Sequence, residues 1–256
     1  MAVQTLPPDR LRSLRRGNLL AAALHAVQAA AVVALATDVT LPVTATYLTG
    51  PPGSAPDDQV VLLDLPTGLA VAAFLGLSAL AHLLVGTVWW RHYLADLARH
   101  RNPARWVEYS LSASLMIVLI AQLVGISDAA ALVALFGVNA SMILFGWLQE
   151  HYEEPGGGGW LPFGFGCVAG VVPWLAIAIY LFTLGSDSAA SPPGFVYGVF
   201  VSLFVFFNAF ALNQWLQYRA RGRWASYAYG ESIYIVLSLT AKSALAWQVF
   251  AGALAG

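Results

Sequence analysis

The 256-residue chain is poor in the groups that most soluble proteins rely on. It has one cysteine, one lysine and three methionines, and only 10% of its residues are charged. The lone Cys167 excludes an intrachain disulfide and any CxxC metal or redox site. Twelve basic and thirteen acidic residues leave a net charge of −1, and the arginines fall in short clusters rather than in a stripe interleaved with aromatics. Nothing in that pattern points to nucleic acid. No HExxH, GxSxG or paired-aspartate motif falls in an apolar stretch, so the sequence carries no signal for a membrane-embedded enzyme.

What is abundant is apolar surface. Hydrophobic residues make up 59% of the chain and the mean hydropathy is +0.70, outside the range of soluble globular proteins. This composition predicts an integral membrane protein, all-α, with one domain covering 1–256. Stretches long enough to cross a ~30 Å hydrocarbon core lie at about 18–37, 62–90, 104–126, 129–149, 161–184, 195–217 and 225–253. The first follows RLRSLRRG and resembles a signal peptide, but its length favours a retained span. Asn102-Pro103 predicts a helix cap and first turn for the third span. Breaks are expected at Gly156–Gly159 and at SDSAASPPG, 186–194. In the longest connection, 38–60, TDVTLPVTATYL alternates β-branched and smaller residues before GPPGSAP, which predicts a short β-hairpin over one face of the bundle.

All eleven arginines lie before the first span, between spans two and three, or between spans six and seven. These regions share one side of a seven-span topology. The positive-inside rule therefore predicts a multi-pass plasma-membrane protein with a cytoplasmic N-terminus and an external C-terminus. The remaining connection on that side, EHYEEPGGGG, is acidic, and Glu150, Glu153 and Glu154 read as a solvated loop.

Ionisable residues inside spans cost about 2.5–3.5 kcal/mol each on insertion scales and usually mark a site. Lys242 stands in span seven, Glu108 in span three and Glu231 near the start of span seven, joined by His25 in span one and His82 in span two. Lys242 lies 18 residues beyond Trp224, too far to snorkel at ~1.5 Å per residue. It is either half of a structural ion pair or a buried amine able to form a Schiff base with an aldehyde, which when protonated needs an anion nearby. Glu108 can supply that anion, because spans three and seven run the same way and the arm of Lys242 tilts back toward its own N-terminus. The other reading of Glu108 is a structural pair with Arg105. Ser112, four residues after Glu108, and Ser238, four before Lys242, share the faces of those residues and can hydrogen-bond in the same pocket.

Seven spans with a lysine in the last and a carboxylate in the third resemble the retinal-binding rhodopsins. RWVEYSLSASLMIVLIA (105–121) and YGESIYIVLSLTAKSALAW (229–247) resemble the heliorhodopsins in particular, and so does the inside N-terminus. The resemblance covers essentially the whole chain. It implies all-trans-retinal bound covalently to Lys242, with Glu108 as primary counterion and Ser238 where microbial rhodopsins carry a second carboxylate. It implies that Met142 and Gly146 line the ring end of the polyene, and that Phe207, Phe210 and Gln214 form its aromatic wall. Without it, VFVSLFVFFNAF would read as bundle packing. It also implies a cytoplasmic polar network, which we assign to His25, His82, Arg105, Tyr109, Glu150 and Glu231, and a homodimer contact helped by the hairpin. The histidines alone would also read as hydrogen-bonded core residues, and they are too few for a metal site.

Light-driven transport is the alternative to sensing. The archaeal pump pattern has a second carboxylate eleven residues after the first, and here the series runs Glu108, Ser112, Leu119. The expected function is therefore a light sensor that acts without net pumping and without enzymatic activity, read by a cytoplasmic or membrane signalling partner that the sequence does not identify.

Overall fold

The computed structural model describes residues 7–55, 58–183 and 192–254. In chain order the elements are α1 (Pro8–Leu35), β1 (Thr40–Thr46), β2 (Gln59–Pro66), α2 (Thr67–Gly86), α3 (Trp90–Leu97), α4 (Pro103–Leu123), α5 (Ala129–Tyr152), α6 (Leu161–Thr183), α7 (Gly194–Arg219) and α8 (Tyr227–Val249). A 3-10 turn at Gly222–Ala225 leads into α8, which continues as a short π-helical segment, Phe250–Leu254. Among the described residues, seven helices are long and apolar enough to cross a membrane; α3 is the short exception.

The helix starts follow local chemistry. Asn102 accepts the backbone N–H of Arg105 at 3.1 Å ahead of Pro103, and Asp128 accepts that of Ala131 at 2.9 Å. Each side chain satisfies an N–H that the first turn leaves without a partner. The predicted break at 186–194 lies outside the described residues except for Pro192–Gly194.

The expected second span, 62–90, is corrected at both ends. Residues 59–66 form β2, paired antiparallel with β1 from Thr40↔Pro66 to Thr46↔Gln59. Val60, Val61, Leu62 and Leu63 are apolar enough to extend a hydropathy window, but Val60, Val61 and Leu63 pair with Ala45, Thr44 and Val43, and Leu62 is the extra residue where the register shifts. At the other end the helix stops at Gly86, and a turn leads into α3, whose Tyr93 and Leu97 are buried. The hairpin is tied to the α4–α5 connection, where Thr44 N donates to the Ser127 carbonyl at 2.8 Å.

α4 is the central helix. Its most apolar 18-residue window is 67% buried, against 17–39% for the other six. Those six turn leucine, valine and phenylalanine outward, as helices facing lipid do. The large apolar core, including Ile117, Leu119, Ile120, Ile177, Leu203 and Leu245, fills the half of the bundle near the hairpin. The half near the arginines is packed around polar side chains.

Candidate functional site

Lys242 on α8 is 3% exposed, and its Nζ donates to Glu108 Oε1 at 2.8 Å and to Ser238 Oγ at 3.1 Å. The ammonium also lies 4.9 Å from the centre of the Tyr109 ring, within cation–π range. Glu108 Oε1 accepts a second hydrogen bond, from Ser78 Oγ on α2 at 2.6 Å. The carboxylate is thus held between two helices before any ligand is considered. Ser112 is fully buried, but its hydroxyl has no hydrogen-bond partner.

Glu150 is not a solvated loop residue. It is the antepenultimate residue of α5, 4% exposed, and faces inward. Arg105 Nη2 donates to its Oε2 at 2.9 Å, and the backbone N–H of Asn102 donates to its Oε1 at 2.5 Å. The Trp106 indole and the Tyr227 hydroxyl donate to it as well. Arg105 also pairs with Glu231, which accepts from Asn102 Nδ2 at 2.8 Å and from the Tyr93 hydroxyl at 3.4 Å. The ion-pair partners of Arg105 are therefore Glu150 and Glu231, and Glu108 is left to Lys242. The guanidinium also lies within cation–π range of the rings of Trp106 (4.5 Å) and Tyr234 (3.9 Å), which meet each other edge-to-face. Of the acidic trio, Glu154 is exposed and Glu153 half-buried just beyond α5.

One cavity joins the two clusters, lined by Asn18, His82, Arg105, Glu108, Tyr109 and Glu231 among others. The Tyr109 hydroxyl donates to the Tyr234 carbonyl at 3.0 Å. His25 and His82 are stacked with ring centroids 5.8 Å apart. His82 Nδ1 lies 2.8 Å from Asn18 Oδ1, while its Nε2 and both nitrogens of His25 have no partner.

Four of the five expected pocket residues are brought together. Met142 and Phe210 pack with Trp106, Tyr109 and Tyr234, and the Phe210 ring meets Tyr109 edge-to-face at 5.3 Å. Gln214 Nε2 donates to the Gly146 carbonyl at 2.8 Å. Phe207 departs from the group: it packs on Trp174 of α6 at 5.4 Å and belongs to the large apolar core.

The chain matches the protein-family model described as Heliorhodopsin over residues 14–254. It belongs to the heliorhodopsin family. No curated protein matches it. Membership makes it a retinal-binding, photoreceptor-like rhodopsin that crosses the membrane several times, a family that is not a known enzyme class.

The residues of this heliorhodopsin fit retinal. A buried amine has an anion at 2.8 Å, and the Ser112 hydroxyl is buried without a partner. An aromatic surface runs from Tyr109 to Phe210 and Met142. At Gly146 a Cβ would come within 2.6 Å of the Trp106 ring, so close packing there depends on glycine. Ser78, Asn18, Asn102, Tyr93 and Tyr227 were missed as site residues. Ser78 carried a signal: it lies four residues before His82 and so shares its face of α2.

Proposed function

We propose that this protein is a light sensor that holds all-trans-retinal covalently on Lys242, as a protonated Schiff base with Glu108 as counterion, and does not pump ions. The observation that carries this reading is the buried Lys242–Glu108 pair, 2.8 Å between Nζ and Oε1 at the centre of a seven-helix bundle. When bound, retinal supplies visible absorption and a light-driven isomerisation.

The protein's own residues do the rest. Glu108 stabilises positive charge at the Lys242 nitrogen, and Ser78 and Ser238 fix the two partners in place. Met142, Gly146, Phe210 and Gln214 shape the far end of the pocket, with Phe207 behind them on Trp174. His25 and His82 offer proton-holding nitrogens beside the pair. Through the shared cavity, a charge change there is felt by Tyr109, Arg105, Glu231 and Glu150 at the arginine-bearing end. That end is cytoplasmic in this reading, with the N-terminus inside and the C-terminus outside the plasma membrane, so the signal emerges where a cytoplasmic or membrane partner can read it. A homodimer through the hairpin is supported by the exposed row Val60–Leu63 on β2.

Light-driven transport is the less favoured reading, because Leu119 and the apolar core fill the half of the bundle near the hairpin. The test of the main reading is reconstitution. The apoprotein mixed with all-trans-retinal should develop a visible band, and Lys242→Ala should not. A visible band that survives in Lys242→Ala overturns the assignment.

A further inference from the structure

α1 contributes one buried amide to the site, and its orientation is set by its neighbours. Asn18 is 3% exposed and donates from Nδ2 to the Leu14 carbonyl at 2.9 Å. A carbonyl oxygen only accepts, so turning the amide over would set two acceptors against each other. Oδ1 is therefore the atom that faces His82 Nδ1, 2.8 Å away. Because Oδ1 also only accepts, the hydrogen of that contact belongs to Nδ1. A neutral imidazole carries one such hydrogen, which leaves a lone pair on Nε2. Nε2 is buried without a partner, and His82 lines the same cavity as Glu108, the ion-pair partner of Lys242. His25, stacked on His82, has no hydrogen bond at either nitrogen and so has no comparable lock.

We propose that Asn18 is a positioning residue of the photoreceptor site: it locks His82 as the Nδ1–H tautomer and makes Nε2 the atom at which a proton leaving the Lys242 nitrogen is held. This rests on the retinal-sensor reading. In the transfer the Lys242 nitrogen loses one proton and its positive charge, and the Nε2 lone pair gains both. The imidazolium keeps its Nδ1–H donated to Asn18, and Glu108 stays ionised as the anion facing it. The opposite tautomer would place a hydrogen at Nε2, unable to accept, and two lone pairs between Nδ1 and Oδ1.

The test is ring ¹⁵N magnetic resonance on the full chain labelled at its five histidines, in the dark, with and without retinal. His82→Gln identifies the His82 signals by their loss. The native protein should show pyrrole-type Nδ1 and pyridine-type Nε2 at His82. Asn18→Asp, which keeps an acceptor, should leave the hydrogen on Nδ1; Asn18→Leu, of similar volume without an acceptor, should shift it toward Nε2. A native His82 with its hydrogen on Nε2, or an unchanged tautomer in Asn18→Leu, overturns the proposal. If Asn18→Leu does not fold, the native protein and Asn18→Asp still decide it, since loss of Nδ1–H in either is fatal. The apoprotein spectrum needs no retinal, so the two readings fail separately. A missing visible band with the tautomer intact refutes the sensor and the proton-holding role within it, whereas a normal band with the wrong tautomer refutes the Asn18 lock and the role of Nε2 and leaves the sensor standing.

Discussion

Lys242 Nζ and Glu108 Oε1 lie 2.8 Å apart although 134 positions separate them in the chain, and the contact joins α8 to the most buried helix of the bundle. The Glu108 carboxylate is buried, so its charge is favoured by its pairing with Lys242 and its hydrogen bond from Ser78. Two helices are therefore committed to one ion pair at the place where the chromophore is proposed to attach.

Glu108→Gln should change the colour of the reconstituted protein. An anion beside the protonated nitrogen stabilises the ground state more than the excited state, whose positive charge has moved toward the ring. Without it, a band that remains protonated shifts to the red, and a deprotonated form absorbs in the near ultraviolet. Absorption spectra recorded across pH check this. A spectrum identical to that of the native protein at every pH would move the counterion elsewhere, with Glu231 the next carboxylate to test.

Arg105 is expected to matter for stability. It is the cation shared by Glu150 and Glu231, which are 4% and 1% exposed. Arg105→Gln leaves two carboxylates buried without their cation and should cost about 3–5 kcal/mol. Arg105→Lys restores the charge but not the planar fork or its contacts with the rings of Trp106 and Tyr234, so it should recover only part of the loss. Thermal unfolding in detergent measures both, and an Arg105→Gln protein as stable as the native one would refute the assigned role.

Gly146→Ala tests the close approach of α4 and α5. The new methyl would sit 2.6 Å from Trp106 Cζ3 and 3.3 Å from Gln214 Oε1. The indole must shift, which strains its hydrogen bond to Glu150, and overpacking of this kind costs about 1–3 kcal/mol. In a Trp106→Phe background, where the clashing ring atoms are absent, the same substitution should cost less. Equal losses in the two backgrounds would place the strain elsewhere.

Much of this architecture could be read from the chain. Runs of apolar residues separated by Pro, Gly and Arg mark the helices, and the tilt of side chains toward the helix N-terminus explains why Lys242 reaches back to Glu108. What escaped has physical causes. β2 is as apolar as a span, and hydropathy does not distinguish a strand from a helix end. Glu150 could be read both as part of the polar network and as one of a solvated acidic trio, because the direction of one side chain at a helix terminus depends on the position of Arg105 on another helix. Asn18 bonds the Leu14 carbonyl four residues earlier, so in sequence it is indistinguishable from a polar residue satisfied within its own helix, whereas Ser78, within 3.1 Å of the Phe74 carbonyl but donating to Glu108, was marked only by its spacing from His82. Phe207 and Phe210 are three residues apart and share a face, yet Trp174 on α6 takes the first.

Light should drive no net ion transport. Vectorial transfer needs the site to connect alternately with both sides of the membrane. Asn18, His82, Arg105, Glu108 and Glu231 line one cavity, whereas on the hairpin side Leu119, 1% exposed, packs with Met116, Ile117 and Ile120 in the apolar core. A proton leaving Lys242 therefore has titratable neighbours on the cavity side, whereas toward the hairpin it meets neutral hydroxyls and amides such as Ser112, Ser114 and Asn139 set in apolar packing, and it should return by the path it took. The measurement is the pH of the medium around illuminated, retinal-loaded cells, with and without a protonophore. No sustained change is expected in either condition. A light-dependent change that the protonophore abolishes would mean that protons cross the half of the bundle filled by Leu119 and its neighbours, and the protein would then be a transporter.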